Sequence, residues 1–376
     1  MPQGRLHILF ITKWYPSQED PQLAIFVKRH AEAVAQFARV TVLHVTSSNA
    51  KTDEVDFQKE GDLTTVRAHW PQTNHPLFKL KRMFSAARKA RKRMDEELPN
   101  VDLIHCHMLA RTAWLAQQLY PQLPFVVTEH WTGYVNGNFQ KLNPLRKIAY
   151  RKLAKKASAL TVVSGQLKKA MIQNKFRRDI EIVPNVVEVP SREKKKNDRI
   201  HILTVADFHE KNKNISGILR AINSIREHYQ FHWTIVGDGV DRETITSLAK
   251  DLNITDRVSF PGRLPQEEVH REISTADLLV VNSRFETFSM VTLEALLMGV
   301  PVIATRSGGP ENFVNETNGF LIDPDDQAAL ENSLKKFLEN PEKFEAEKVK
   351  LSVENRFSKD AVGSAFLNLY NRILNH

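Results

Sequence analysis

Residues 276–310 read ADLLVVNSRFETFSMVTLEALLMGVPVIATRSGGP. The apolar run Leu278–Val281 has the length and branching of a strand buried on both faces, and Asn282 and Ser283 break it. Residues 288–298 then carry apolar side chains at helical intervals and stop at Gly299, where a left-handed cap costs little. A second short strand, 300–304, follows. Strand, loop, helix and strand in a parallel sheet put the loop at the carboxyl edge, where doubly wound sheets bind ligands. Glu286 lies in that loop. Glu294 lies in the helix, flanked by Leu293, Ala295, Leu296 and Leu297. Taken singly, the two would be a solvated loop acid and a surface-helix acid. A carboxylate among apolar neighbours needs a specific partner, and that favours function.

Residues 285–314, FETFSMVTLEALLMGVPVIATRSGGPENFV, resemble the donor-site signature of the family 4 retaining glycosyltransferases with the GT-B fold. The shared features are Glu286 and Glu294, Gly299, Pro301 and the turn Gly308-Gly309-Pro310-Glu311. The resemblance implies an α/β protein of two Rossmann-like doubly wound domains facing a cleft. Residues 1–187 would form the acceptor-side domain, with 359–376 returning to it as a C-terminal helix, and 188–358 the nucleotide-sugar domain. It also implies that Glu286 contacts hydroxyls of the transferred sugar and that Glu294 holds the ribose. Thr287, Phe288, Ser289 and Met290 would line the donor beside them.

Composition fits that scheme. A chain of 376 residues suits two domains of ordinary size, and 41% hydrophobic with 26% charged residues is a globular balance. No run approaches the length of a membrane helix, and MPQGRLHILFITKWYP has too short an apolar segment for a signal peptide. Cys106 is the single cysteine, so no internal disulfide forms, which fits a reducing cytoplasm. Residues 1–190 hold 29 Lys and Arg against 16 Asp and Glu, a net of +13, and the remainder is −4. A basic half signals an anionic partner, solvated helix faces, or both.

The first half alternates strand and helix from residue 6 onward, with a loop at 12–22 that holds Trp14 and Tyr15. Family members place a glycine-rich turn there and this chain has none; Trp14 is instead a candidate for the acceptor side. Between Asp62 and Asp95 there is no acid. Lys79, Lys81, Arg82, Arg88, Lys89, Arg91, Lys92 and Arg93 fall on one helix whose sparse apolar residues are Leu80, Phe84, Ala87 and Met94. Arg88, Lys89, Arg91, Lys92 and Arg93 are therefore the candidates for an anionic membrane surface, against the plain alternative of a solvated face. Residues 125–127 form a strand that delivers Thr128, Glu129, His130 and Trp131 to a loop. VVTEHWTGY resembles the family segment whose histidine faces the donor sugar, which makes His130 a catalytic candidate. His105 and His107 form an H-x-H pair, but a metal reading needs a further ligand cluster, so no metal is expected. From His130 to Arg178 acids are again absent and twelve basic residues accumulate. The polar stretch 187–198 reads as the linker.

In the second half, ADFHEKNKNISGILRAI resembles the family's first donor-domain loop and helix, where an Arg and a Lys hold the diphosphate. Lys213 matches the Lys, and Asp207 stands where the Arg is expected. Arg263, after the turn at Gly262 that lies beside the base in the family, is the candidate to compensate. Gly237-Asp238-Gly239 lacks the third glycine of a dinucleotide fingerprint, since position 242 is Arg. The Gly308-Gly309-Pro310 turn promises free backbone N–H groups for phosphate. The reading is a retaining hexosyltransferase of polysaccharide biosynthesis. It takes a nucleotide sugar as donor substrate and a glycan or lipid-linked acceptor, with no obligatory cofactor. It is expected in the cytoplasm, peripheral at the cytoplasmic face of the membrane. A nucleotide-sugar epimerase of similar fold is the alternative. The pI of 9.4 alone suggests a nucleic-acid binder, whose motifs are missing.

Overall fold

The computed structural model of the protein describes residues 5–17, 20, 23–48, 52–73, 75–192 and 199–375, with the backbone alone at 76 and 77. They divide into two compact units, Met1–Val186 with Phe357–His376, and Val187–Arg356. Parts of two expected segments, the loop at 12–22 and the linker at 187–198, lie outside the described residues.

Unit 1 runs β1 (His7–Thr12), α1 (Ile25–Ala35), β2 (Arg39–Ser48), β3 (Glu54–Glu60), β4 (Leu63–Pro71), α2 (Pro76–Glu97), β5 (Leu103–His107), α3 (Arg111–Leu119), β6 (Phe125–Glu129), α4 (Pro144–Lys156), β7 (Ala159–Val162), α5 (Gly165–Gln173) and β8 (Ile180–Ile182). The sheet order is β3-β4-β2-β1-β5-β6-β7-β8, parallel except for the edge strand β3. β1 and β5 are buried at every position, as helices on both faces of a parallel sheet require.

Unit 2 runs β9 (Ile200–Val205), α6 (Glu210–Lys213), α7 (Ile215–Ile225), β10 (Phe231–Val236), α8 (Arg242–Asp251), β11 (Val258–Gly262), α9 (Gln266–Thr275), β12 (Leu278–Val281), α10 (Met290–Leu297), β13 (Val302–Thr305), β14 (Gly319–Ile322), α11 (Gln327–Glu339) and α12 (Ala346–Leu351). Its strands lie in the order β11-β10-β9-β12-β13-β14, all parallel. The helix α7 shows why the chain folds so locally: Ile215, Ile218, Leu219, Ile222 and Ile225 recur at three- and four-residue steps and are all buried. Arg192 donates to the carbonyls of Ser274, Ala276 and Gly299, so the start of the expected linker is anchored to this unit.

The last helix, α13 (Lys359–Leu374), belongs to unit 1 and packs on α1. Val362, Phe366, Leu369 and Tyr370 share a core with Val27, Ala31 and Val34. Each Val, Leu or Phe among them contributes about 1.5–3 kcal/mol when fully buried. Gly363 permits the close approach, since a Cβ there would sit 2.3 Å from the Ala33 carbonyl oxygen. Lys359 and Glu32 close the contact with an ion pair at 2.9 Å.

Two local expectations are corrected, and one element was missed. The helix expected at 288–298 begins at Met290, because Ser289 takes a left-handed backbone with φ of 66°. Thr128 and Glu129 lie inside β6 and not in the loop after it. The β3–β4 hairpin was not foreseen at all. No described helix is long and apolar enough to cross a membrane.

Candidate active site

At the carboxyl edge of the unit 2 sheet, three connections converge. The short α6 ends at Asn214, whose left-handed backbone turns the chain into α7 and leaves Lys213 projecting beside the β12–α10 loop. Lys213 Nζ donates to Glu286 Oε1 at 2.6 Å, and Ser283 Oγ donates to the same oxygen at 2.8 Å. The Glu286 amide donates to the Ser307 carbonyl at 2.8 Å, which ties the loop to the segment after β13. Glu286 Oε2 is thereby left to accept from a ligand, and the ammonium of Lys213 to face an anion. Lys213, Glu286, Ser289, Met290, Arg263 and Gly237 line a cavity of about 270 Å³. The strained Ser289 is held by a 2.7 Å bond between its Oγ and that of Thr292.

The other candidates occupy distinct places. Phe288 is buried against Phe313, and Thr287 beside it is half-buried in the same loop. Gly309 presses so closely on the Phe288 backbone that a Cβ would lie 2.2 Å from it. Glu294 is buried on the side of α10 that faces α9, where Gln266 Nε2 donates to its Oε1 at 3.4 Å and His270 Nε2 stands 3.8 Å away. Gln266 and His270, themselves 2.8 Å apart, were not foreseen. Their separation from Glu294 along the chain carries no local signal. Gly262 takes a left-handed backbone with φ of 89°, and its carbonyl accepts from Gly237 N at 2.9 Å.

Two features of the expected phosphate clamp are different. Arg263 is exposed and pairs with Asp207 at 3.3 Å, so the acid at the family's Arg position engages the very residue expected to replace it. The Gly308 amide is already taken by Glu311 Oε2 at 2.8 Å, and Pro310 opens only a three-residue turn, Pro310–Asn312. That amide is not free for phosphate.

In unit 1, His130 follows β6 with its ring turned inward: Nε2 meets His107 Nδ1 at 3.2 Å and Nδ1 is enclosed. Phe26 packs on the ring at 4.5 Å. His107 does have further histidines around it, since His30 and His130 join it from distant segments, a grouping that the H-x-H spacing alone does not show. Glu129 holds the loop from below. Its two oxygens accept from the amides of Leu109, His130 and Trp131 at 2.9–3.0 Å and from the Tyr134 hydroxyl. Burial raises its pKa and those donors oppose the rise.

Trp14 lies under the Lys13 ammonium, 4.2 Å from the ring centroid. Both line a cavity of about 800 Å³ at the ends of β1, β2 and β4, together with Tyr15, His44, Gln58 and Arg67. On α2 the buried face is Met83, Ala86, Ala87, Ala90 and Met94; Leu80 is exposed. Of the five basic candidates, Arg91, Lys92 and Arg93 each pair with an acid four residues later, Asp95, Glu96 and Glu97. Lys89 caps the Asp53 carbonyl at 2.7 Å, and Arg88 rests on Phe84. This end of the helix is a solvated, self-paired face to a greater degree than charge counting suggests.

Two Rossmann-like units on parallel sheets, the first with one antiparallel edge strand, and a C-terminal helix returned to the first unit are the architecture of a GT-B glycosyltransferase. Residues 23–189 match the family described as Glycosyltransferase Family 4 and residues 188–350 that described as Glycosyl transferases group 1. The chain belongs to the family 4 glycosyltransferases and is a nucleotide-sugar-dependent hexosyltransferase. It is 28% identical to the N-acetyl-alpha-D-glucosaminyl L-malate synthase of Bacillus anthracis over 73% of this chain and 76% of that one. It is 29% identical to the lipopolysaccharide core biosynthesis glycosyltransferase LpsD of Rhizobium meliloti over 52% of this chain and 59% of that one. Among solved structures it resembles sucrose-phosphate synthase from Thermosynechococcus elongatus, with a TM-score of 0.76 at 22% identity over 99% of this chain and 100% of that one. Anabaena HepE in complex with UDP gives 0.74 at 17% over 98% and 100%. These relatives are glycosyltransferases, and the comparisons lend the epimerase reading no support.

Proposed function

We propose that the enzyme transfers its hexosyl group with retention of configuration, holding the nucleotide sugar in unit 2 and a glycan or lipid-linked acceptor in unit 1. The observation that carries this reading is the Lys213–Glu286 couple at the carboxyl edge of the second sheet. Glu286 has one oxygen engaged and one open, which suits a sugar hydroxyl. Lys213 brings positive charge to where the leaving diphosphate develops its own. The phosphate of the donor takes the proton from the acceptor hydroxyl, so neither a covalent nucleophile nor a metal is required. Glu294, with Gln266 and His270, binds the ribose. The hydroxyl- and amide-rich cavity around Trp14 receives the acceptor. The UDP in the HepE complex makes a uridine diphosphate sugar the first donor to test, and LpsD points to a saccharide acceptor. A thermal-shift panel of nucleotide sugars tests the donor. One nucleoside diphosphate and its sugars should raise Tm well above the rest; a panel in which none does so contradicts the reading.

A second reading, attachment to an anionic membrane, is favoured by apolar side chains exposed among basic ones at two places in unit 1. Phe78 and Leu80 stand beside Lys79, Lys81 and Arg82 at the start of α2, and Leu145 and Ile148 beside Arg146, Lys147, Arg151 and Lys152 on α4. Each basic residue near such a surface adds about 1 kcal/mol. Co-sedimentation should require anionic vesicles, weaken with salt, and fall further in Phe78→Ser/Leu145→Ser than when Arg88, Lys89, Arg91, Lys92 and Arg93 are neutralised. Equal binding to neutral vesicles, or none to anionic ones at low salt, removes it.

A further inference from the structure

The carboxyl edge of the unit 1 sheet is marked by charge. In this sheet β1 has β2 on one side and β5 on the other. The chain leaves β1 for β2 and returns later to β5, so the helices that follow β1 and β5 pass to opposite faces and a crevice opens at the carboxyl ends of these strands. Lys13 is the first residue after β1, Arg111 opens α3 after β5, and Lys79 lies in the first turn of α2, which leads to β5. Three connections thus bring three basic residues to one place: the charges that act on the Lys13 ammonium are those of Arg111 and Lys79.

Lys13 is not a loose surface lysine. Its ammonium stands 4.2 Å from the centroid of the Trp14 ring, and His44 Nε2 donates to its carbonyl at 3.2 Å. Partial burial lowers its pKa, and Arg111 and then Lys79 push it the same way. No carboxylate is among the groups that act on it, and none among the described residues pairs with Lys79 or Arg111. The cavity of about 800 Å³ that Lys13 borders is different. Its acids are Asp20 and Asp56, and Asp56 lies directly across the β3–β4 hairpin from Arg67, so the charge of that wall is answered within it. Thr46, Ser47 and Gln72 add hydroxyls and an amide, and Trp14 adds an apolar ring. Such a lining suits a sugar or polyol, and the unanswered charge lies at its lip.

We propose that the acceptor carries a phosphate group, and that Lys13, Lys79 and Arg111 bind it at the lip of the cavity whose polar wall takes the rest of the molecule. A phosphate monoester sets about two negative charges and three acceptor oxygens against the three cations, whereas a carboxylate sets one charge and two oxygens. This assignment rests on the reading that unit 1 receives the acceptor. A soluble sugar phosphate and a lipid headgroup offer the same phosphate chemistry.

Reductive methylation of the full chain, read lysine by lysine by peptide mass spectrometry, tests it. The probes are glucose 6-phosphate, dihexanoyl phosphatidic acid dispersed as monomers, glucuronate and glucose, each compared with sodium chloride at equal ionic strength. A phosphorylated probe should protect Lys13 and Lys79 and leave the exposed Lys92 labelled as before. Protection by glucose 6-phosphate assigns the phosphate to a soluble sugar, and protection by phosphatidic acid alone assigns it to a lipid headgroup. Arg111→Gln should raise the concentration of that probe needed for half-protection by roughly fivefold or more, the scale of one lost hydrogen bond to a charged group. Lys13→Gln and Arg111→Gln should bind nucleoside diphosphate as the wild type does. Protection by neither phosphate, or equal protection by glucuronate, would overturn the proposal. So would loss of nucleoside diphosphate binding in the two variants, which would give the cluster to the donor. Labelling needs neither transfer nor donor, so its failure is distinct from the failure of a nucleotide-sugar panel.

Discussion

Glu286 and Glu294 belong to one signature but sit in different company. Glu286 is bonded to a cation and a hydroxyl at the rim of a cavity, whereas Glu294 is buried against an amide and an imidazole of α9. Glu294 was legible because an acid among leucines needs a reason to be there, and Glu286 because it lies in the carboxyl-edge loop of the signature. The sequence did not make Gln266, His270 or Ser283 legible, since the surroundings of each are supplied by tertiary packing. The same holds for the histidines of unit 1: a lone His30 on an amphipathic helix gives no hint that His107 and His130 close around it. Their burial has a consequence for acid stability. The folded pKa of His30 is depressed to about 4, against the ordinary 6.5 of an exposed ring. The unfolded chain binds the proton first, so the stability that His30 contributes is complete above pH 6.5 and is lost as pH falls toward 4. At pH 5 the loss from His30 alone is about 2 kcal/mol. Urea denaturation at pH 7 and 5 should show a lower midpoint at pH 5, and His30→Phe should reduce that difference. An equal midpoint at the two pH values would contradict the burial of the cluster in its neutral form.

At the scale of elements, the donor loop depends on a glycine. The loop 284–289 has a left-handed Ser289 at its end and is backed by Gly309, where a Cβ would meet the Phe288 backbone at 2.2 Å. Neither partner is the flexible end of a side chain, so the loop itself must move. Gly309→Ala should therefore displace Glu286 from Lys213 and lower turnover at least tenfold while the rest of the unit 2 sheet survives. Far-ultraviolet circular dichroism and kcat, measured together, check this; full activity would mean that the loop tolerates the shift. Core strands were legible as continuous apolar runs: β12 lies at Leu278–Val281, where its residues place it. The hairpin β3–β4 escaped because its outer strand is mostly exposed. Yet Glu54, Val55, Asp56 and Phe57 alternate and Gly61 makes a left-handed turn, a signal of the right kind. The start of α10 escaped for another reason, since a serine in the left-handed region is strain that only the surrounding loop imposes.

For the whole molecule, the division into a basic first half and a mildly acidic second half was visible in the composition, and it follows the two structural units closely. What charge counting missed is pairing. Arg91, Lys92 and Arg93 are answered by the acids one turn later, so net charge along a helix overstates the field that it presents. The family was legible because its signature concentrates in one loop and helix, but that signature does not name the base, the sugar or the acceptor. Unit 2 is proposed to bind the nucleotide sugar with Glu294 on the nucleotide and Glu286 on the sugar. Isothermal titration of the preferred nucleoside diphosphate into the wild type, Glu286→Gln and Glu294→Gln decides this assignment, with turnover measured beside it. A hydrogen bond to a charged group is worth about 1.5–3 kcal/mol. Glu294→Gln should thus weaken nucleotide binding by roughly tenfold or more, whereas Glu286→Gln should bind it as the wild type does and lose turnover. Unchanged nucleotide affinity in both variants, or loss in Glu286→Gln alone, would contradict the assignment.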